Sequence, residues 1–340
     1  MTLDKKYVLD LAKEILMIPS PSGYTKAIIE RIKTEANRFN LPYSVTKKGN
    51  LIITLKGQSS KNIGLSVHVD TLGAMVRSIT SDGYLKFTNI GGPLWPTMDG
   101  EYCTIRTRSG KDYTGTFLSK SPAVHVYKDA AKLERSPETM QIRIDERVHT
   151  KEDVQALGIE VGNYVFFDPK TVITDNGFIK SRFLDDKINV ASIFGLIKAF
   201  QDDGIQPKDT IKFIISTYEE VGHGASFIPD LDEMIAIDMG CIGDDLSCTE
   251  YDVSICAKDS SGPYDYDLTN QFVNCAKAHK LNYAVDIYPY YGSDVSAARS
   301  AGNDFKGALI GPGVHASHGM ERTHYDAVKN TIALLYHFLT

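Results

Sequence analysis

The fold class is indicated by residues 187–217, which read KINVASIFGLIKAFQDDGIQPKDTIKFIIST. Residues 187–200 are a helix candidate, and residues 210–217 form an apolar run with the length of a buried strand. A further buried strand is predicted at residues 234–238. Strand and helix patterns that alternate in this way favour a mostly parallel sheet with helices on both faces. We therefore predict an α/β fold.

Similar patterns extend toward both ends of the chain. The helical spacings are at residues 7–16, 28–39, 269–279 and 326–338, and strand-like apolar runs are at residues 50–55 and 63–69. These patterns indicate that both ends of the chain contribute to one α/β domain.

The middle of the chain has a different character. Between about residues 73 and 163, β-branched and aromatic residues occur in short bursts that Gly and Pro separate. Such bursts indicate a small antiparallel sheet or barrel. They lie at Tyr84–Thr88, Tyr102–Arg108, Tyr113–Ser119 and Met140–Ile144. We therefore predict an α/β domain made of residues 1–71 and 164–340, with a β-rich, barrel-like domain inserted at residues 72–163.

Composition and charge argue against several classes of protein. The 340 residues carry 37 basic and 43 acidic side chains, and this net charge of −6 gives no support for binding to nucleic acid or to an anionic membrane. No uncharged apolar run reaches the roughly 18 residues of a membrane-spanning helix, and the charged N-terminus lacks the apolar core of a signal peptide. The five cysteines are odd in number and include no C-x-x-C pair. We therefore expect a cytoplasmic protein with reduced thiols.

Two polar side chains close an apolar strand in Val67-His68-Val69-Asp70. The two-residue period of a strand places His68 and Asp70 on one face, and ligands of α/β sheets gather at the carboxyl ends of strands. The carboxylate could hold the imidazole tautomer while the other ring nitrogen binds a metal. The alternative is an ordinary strand that ends in surface polar residues.

Two aspartates, Asp185 and Asp186, directly precede the helix candidate at residues 187–200. An aspartate in this position can simply cap the helix. Capping explains one aspartate better than two, so the first carboxylate could instead bridge two metal ions.

Carboxylates also follow the two later strands. Glu219 and Glu220 follow the buried strand at residues 210–217 after Tyr218, and two carboxylates at such a strand end are costly unless they are paired or metal-bound. The alternative is a solvated loop. Asp238 ends the strand at residues 234–238, although an aspartate that starts a turn gives the same pattern.

A cluster of histidines lies near the C-terminus. His315, His318 and His324 all lie in one Gly-rich stretch of ten residues. Imidazole is the commonest ligand for a borderline metal. Together, the strand ends, the aspartates before the helix and a late histidine supply two imidazoles and several carboxylates. That set is sufficient for a two-metal hydrolytic centre with one bridging carboxylate.

The order of these motifs resembles the M42 family of metallo-aminopeptidases, which includes the glutamyl and deblocking aminopeptidases. The family pattern is H-x-D at a strand end, an L-D-D segment, an E-E-V-G segment, an Asp at the next strand end and a late His. In this chain the pattern runs from His68 to His318. The resemblance implies a di-zinc peptidase fold for the α/β domain and a lid and oligomerisation role for the inserted domain.

The resemblance also implies a role for each matched residue. Five residues would hold two divalent metal ions, zinc or else cobalt or manganese: His68 and Asp238 on one ion, Glu220 and His318 on the other, and Asp185 bridging the two. Asp70 would orient His68, and Glu219 would be the general base.

The sequence departs from the family pattern at three places. Thr71 stands where the family commonly has a carboxylate, and the segment after E-E-V-G is one residue shorter than usual. The residues around His318 also differ from the family's usual R-Y-x-H-S motif. His315 and His324 therefore remain alternatives for the late histidine ligand. These departures bear on the substrate pocket, which the aromatic stretch Tyr288–Asp294 could line.

The implied activity is the release of N-terminal amino acids from peptides by metal-activated water. The family's subunits commonly form hollow tetrahedral dodecamers, so a homo-oligomer is expected.

An amidase or deacylase on the same di-metal centre is the main alternative, and it differs in needing no free α-amino group. A glycosidase would need two carboxyl groups about 5–9.5 Å apart across a sugar bond. The non-enzymatic alternative is a metal-stabilised assembly protein without activity. Missing metal ligands in the sequence would favour this alternative.

Overall fold

Seven helices and nineteen strands follow one another in the computed structural model, which describes residues 1–340. The helices are α1 (Lys5–Leu16), α2 (Lys26–Arg38), α3 (Lys151–Ala156), α4 (Leu184–Asp202), α5 (Tyr266–Ala278), α6 (Asp294–Ser300) and α7 (Tyr325–Leu339). The strands are β1 (Tyr43–Val45), β2 (Leu51–Leu55), β3 (Asn62–His68), β4 (Gly73–Ile79), β5 (Leu85–Ile90), β6 (Tyr102–Arg106), β7 (Asp112–Ser119), β8 (Met140–Ile144), β9 (Tyr164–Phe167), β10 (Val172–Ile173), β11 (Phe178–Ser181), β12 (Thr210–Ser216), β13 (Glu233–Ile237), β14 (Gly240–Cys241), β15 (Val253–Asp259), β16 (Gly262–Pro263), β17 (Tyr283–Ile287), β18 (Lys306–Val314) and β19 (Glu321–His324). No helix has the length and apolar character needed to cross a membrane.

Parallel strands form the centre of the largest sheet, whose order is β1-β2-β12-β3-β13-β18-β15-β16. β12, β3, β13 and β18 pair in parallel. β1 and β2 pair antiparallel, because the short turn that joins them cannot make a parallel crossover. β2 is also antiparallel to β12, and β15 to β18. The predicted α/β class is therefore confirmed, with a sheet that is parallel at its centre and has antiparallel pairs on both flanks. β17 adds a further parallel pair with β15.

Both faces of this sheet are covered. Along β3, Leu65 and Val67 alternate with Ser66, and all three are at most 2% exposed. The helices α1, α4 and α7 meet at Gly195 of α4, where an added Cβ would lie 2.6 Å from Val8 and 3.2 Å from Ile332. A glycine at this point lets the three helices approach closely.

The second sheet is a closed barrel of the strands β4-β5-β8-β7-β6-β9. Its interior contains an aromatic cluster in which Phe117 lies edge-on to Phe87 and to Phe167, with ring centroids 5.0 and 5.4 Å apart. The predicted β-rich, barrel-like insertion is therefore confirmed as an element of the fold.

The chain divides into two compact units, Met1–Thr71 with Lys170–Thr340, and Leu72–Pro169. The return to the α/β unit thus comes at Lys170 and not at residue 164. The reason is that β9 pairs with β4 and β6 and so belongs to the barrel. A separate three-stranded sheet, β10-β11-β19, lies in the α/β unit.

Candidate active site

Three strand ends of the parallel sheet carry predicted site residues. His68 is the last residue of β3, Glu219 and Glu220 follow β12 in a short 3-10 turn, and Asp238 follows β13. In the parallel register, Ser216 at the end of β12 lies beside His68. These side chains therefore start from the same edge of the sheet, as predicted from the carboxyl ends of the strands.

Asp185 reaches this edge from the start of α4. The backbone angles of Asp185 and Asp186 are not helical, the peptide bond between them is cis, and regular helix begins only at Lys187. Oδ1 of Asp185 lies 3.0 Å from Nε2 of His68. The structure thus directs this buried carboxylate toward the strand ends.

His318 joins the group from the segment between β18 and β19. Its Nε2 lies 3.7 Å from Oδ2 of Asp185 and 3.5 Å from Oε2 of Glu220. The two oxygens of Asp185 therefore face two different imidazoles, those of His68 and His318.

The two alternative histidines make other contacts. The backbone of His315 exchanges hydrogen bonds with Arg322. Nε2 of His324 lies 2.8 Å from the carbonyl oxygen of Asn176, and its Nδ1 accepts a hydrogen bond from the backbone N–H of Asp326. Among the three late histidines, the ring of His318 is the one that the structure places beside Asp185.

Metal-ligand atoms lie within 4.8 Å of one another in three overlapping sets of residues. The sets are His68, Asp185 and Glu220; His68, Glu219 and Asp238; and Asp185, Asp186 and Asp238. Imidazole nitrogens and carboxylate oxygens are the donors of catalytic zinc sites and also suit manganese and cobalt. The donor set therefore fits divalent metal ions.

Burial and mutual repulsion shift the pKa values of these groups. Burial first, and then the charge of Asp185, raises the pKa of Asp238 to about 7. Burial also raises the pKa values of Glu219 and Glu220 well above their usual range. Burial opposes a charge on His68, but Asp185 and Glu219 still raise its pKa well above the ordinary value. Because these anions are crowded together away from water, a bound cation would stabilise them.

The carboxylate of Asp70 supports the glutamate-bearing turn. It accepts hydrogen bonds from the backbone N–H groups of Glu219 and Glu220, at 3.1 and 3.3 Å, and from the Ser22 hydroxyl at 2.5 Å. Nδ1 of His68 lies 2.9 Å from the backbone carbonyl oxygen of Asp70 and 3.6 Å from its Oδ1. Asp70 thus contacts His68 mainly through its backbone, while its side chain holds the two glutamates.

A second buried carboxylate, Asp294 at the start of α6, holds the same region. It accepts hydrogen bonds from the hydroxyls of Ser66 and Ser216, at 2.8 and 2.6 Å, and from the backbone N–H of Ala225 at 2.9 Å. One carboxylate therefore ties together β3, β12 and the segment that follows the glutamates. From the sequence, Asp294 is predicted only as the last residue of an aromatic stretch. Its supporting role could not be predicted, because the three groups that donate hydrogen bonds to it come from distant parts of the chain.

Two elements lie against the backbone at the end of β13. The hydroxyl of Tyr291 donates a hydrogen bond to the carbonyl oxygen of Met239, the residue after Asp238, at 3.4 Å. On β18, a Cβ at Gly311 would lie 1.5 Å from the carbonyl oxygen of Asp238, so the position requires glycine. The aromatic stretch Tyr288–Asp294 therefore reaches the site through Tyr291.

Comparison with known proteins identifies the family of this chain. The family model described as M42 glutamyl aminopeptidase matches residues 49–334. The chain belongs to the M42 peptidase family. This confirms the resemblance read from the motifs, and it makes the protein an aminopeptidase and hence a hydrolase.

Several proteins similar to this M42 peptidase match it over nearly its whole length. YhfE of Bacillus subtilis (strain 168), a candidate aminopeptidase, is 48% identical over 97% of this chain and 96% of its own. The solved structure of a TET aminopeptidase from a marine sediment Thaumarchaeota archaeon has a TM-score of 0.88, with 21% identity over 98% and 96% of the two chains. The TET1 peptidase of Pyrococcus horikoshii, which can assemble into a tetrahedron or a large octahedral shell, has a TM-score of 0.84 and 23% identity over 98% and 99%. M42 aminopeptidases depend on metal ions, in keeping with the donor sets of this site.

Proposed function

We propose that this M42 aminopeptidase releases N-terminal amino acids from peptides at a centre of two divalent metal ions, which are zinc or else cobalt or manganese. The residues that would hold the ions are His68, Asp185, Glu220, Asp238 and His318. The observation that carries this proposal is the position of Asp185, which presents one oxygen to His68 and the other to His318. In this position one carboxylate could serve both ions of a two-metal site.

The chain's own proton carrier in this proposal is Glu219. Bound divalent ions would supply a Lewis acid and lower the pKa of a water molecule from about 15.7 to about 7. Glu219 would accept a proton from the attacking water and return one to the leaving amine as the C–N bond breaks. Its Oε2 lies 3.7 Å from Nε2 of His68, and burial raises its pKa, which suits a general base that works near neutral pH.

The family of this chain supports action at the N-terminal end of peptides. The matching family model is described as a glutamyl aminopeptidase, and the curated relatives include a lysyl aminopeptidase of Pyrococcus furiosus. Bound divalent ions would take up most of the negative charge of Glu220 and Asp238, so the charge of these carboxylates alone does not select the substrate. An amidase or deacylase on the same centre would act on substrates whose amino group is acylated.

We also propose that the barrel unit, Leu72–Pro169, serves as the lid and assembly domain of a homo-oligomer, with a dodecamer as the expected form. The assembly of the TET1 peptidase, which shares the fold, supports this proposal. Light scattering should show a large assembly, and a stable monomer at micromolar concentration would contradict it. The cytoplasmic location stays a prediction.

Metal removal and restoration test the proposed activity. The protein is dialysed against a chelator, supplied with zinc, cobalt or manganese, and assayed with aminoacyl anilides beside their N-acetylated counterparts. We expect that activity is lost with the metal, returns with it, and is confined to the free-amine set. Cleavage of the acetylated set would favour the deacylase, and turnover of either set by the fully chelated protein would contradict a metal-dependent mechanism.

A further inference from the structure

A third buried carboxylate, Glu321, lies behind the candidate metal site. Glu321 is the first residue of β19, and its partner in the antiparallel pair is Ser181 of β11. The residue is 2% exposed. Both of its carboxylate oxygens are engaged by backbone N–H groups, which points to a structural role rather than to metal binding.

The two oxygens of Glu321 accept hydrogen bonds from two separate segments of the site. Oε2 accepts from the backbone N–H of Asp185 at 3.0 Å, and Oε1 accepts from the backbone N–H of His318 at 3.2 Å. Glu321 therefore joins the segment before α4 to the segment that carries the late histidine, although 136 positions separate Glu321 from Asp185.

The backbone around His318 needs such support. His318 has a φ of 62° and Ala316 a φ of 60°, in the left-handed region that residues with a Cβ rarely adopt. Unfavourable backbone angles persist only where the surrounding structure fixes them. The hydrogen bond from the His318 N–H to Glu321 is one of the contacts that fix this turn, and the turn directs the imidazole toward Asp185.

We propose that Glu321 is a positioning residue, whose carboxylate fixes the backbones of Asp185 and His318 so that both side chains face one cation. The inference rests on the proposed metal centre. Supporting residues behind a metal site typically change metal affinity by about 10–100-fold when they are replaced. A carboxylate suits the position because it only accepts hydrogen bonds, whereas an amide would turn an NH₂ group toward one of the two N–H donors.

The test compares Glu321→Gln with a matched control, Glu233→Gln. Glu233 is 7% exposed, is ion-paired with Lys61 at 2.7 Å, and starts β13 at the opposite end from the site. Zinc affinity is measured by chelator competition, the environment of bound Co²⁺ by its visible absorption, and folding by the Tm of the metal-free protein. We expect a 10–100-fold loss of zinc affinity and an altered Co²⁺ spectrum in Glu321→Gln alone.

Wild-type zinc affinity and an unchanged Co²⁺ spectrum in a folded Glu321→Gln protein would overturn the positioning role and leave the metal centre intact. A wild-type protein that binds no zinc would instead overturn the metal centre itself, and this role with it. If Glu321→Gln does not fold, Glu321→Asp keeps the acceptor-only group and shortens its reach. In that variant, weakened zinc binding supports the proposal, and wild-type affinity contradicts it.

Discussion

Nε2 of His68 lies 3.0 Å from Oδ1 of Asp185, although 117 positions separate the two residues in the chain. The end of β3 supplies the imidazole, and the non-helical start of α4 supplies the carboxylate. The second oxygen of Asp185 faces His318, so this one side chain connects the two halves of the candidate site. Removal of its charge should therefore affect both halves.

Replacement of Asp185 by asparagine should abolish stable metal binding. The amide removes the negative charge that lies between the two imidazoles, so we expect less than one zinc ion per chain. Turnover should fall by more than about 100-fold, because loss of a metal ligand should exceed the 10–100-fold effect of a supporting residue. Elemental analysis after dialysis measures the metal content. The exposed Asp230→Asn is the control, and an Asp185→Asn protein that retains both ions would contradict the shared-ligand role.

Replacement of Gly224 by alanine should displace the glutamate-bearing turn. An added Cβ would lie 2.5 Å from Oδ1 of Asp294, 2.8 Å from Oγ of Ser216 and 2.9 Å from the backbone nitrogen of Glu219. We expect a loss of stability of about 1–3 kcal/mol from overpacking. Turnover should fall up to about 100-fold, as a displacement near 1 Å can cause.

Gly243→Ala provides a matched control for that substitution, because an added Cβ at Gly243 meets nothing within 4 Å. Thermal unfolding and steady-state kinetics are measured on both variants. We expect near wild-type values for Gly243→Ala. Wild-type kinetics in Gly224→Ala as well would show that the contacts with Asp294 and Glu219 do not hold the turn in its active form.

The residues at strand ends could be predicted from the sequence because each one follows an apolar run. His68, Glu219, Glu220 and Asp238 all stand where a buried strand stops, and parallel strands bring such ends together. The predicted helix start at Lys187 agrees with the beginning of regular helix, which leaves Asp185 free to turn toward the sheet. These positions follow from local pattern and from one general rule of sheet topology.

Other features had no local signal. β18 is not among the predicted strands, because Gly307, Gly311, Pro312 and Gly313 interrupt its apolar run. It nevertheless lies in the centre of the sheet, where Gly311 makes room for the backbone of Asp238. Supporting carboxylates such as Glu321 act through backbone N–H groups of segments that only the fold brings near. The boundary of the barrel unit was also missed, since β9 resembles any short apolar strand.

Two stacked histidines, one at the end of α5 and one in α7, should give the free energy of unfolding a distinct pH dependence. The rings of His279 and His337 lie 3.6 Å apart and within 8° of parallel. Burial first, and then the charge of His279, lowers the pKa of His337 below its ordinary 6.5. Because the unfolded chain then binds the proton more readily, this contribution to stability is fully present above about pH 6.5. It is lost as the pH falls from there through the lower pKa of the folded protein.

His337→Gln should remove that contribution. We expect the Tm of the wild type to decrease more steeply than that of His337→Gln between about pH 8 and pH 5, the range in which histidine titrates. The exposed His125→Gln is the control for the loss of a histidine. Parallel Tm curves for the wild type and His337→Gln would contradict the pKa shift.

The role of Glu219 is the central claim of the proposed mechanism, and Glu219→Gln tests it most directly when metal content and turnover are measured on the same sample. The amide keeps the size of the side chain but cannot accept the proton of water. We expect two zinc ions per chain, as in the wild type, and a turnover lower by about 10²–10⁴-fold, the usual contribution of a general base. A zinc-loaded Glu219→Gln protein with near wild-type turnover, or one that has lost a metal ion, would contradict this assignment.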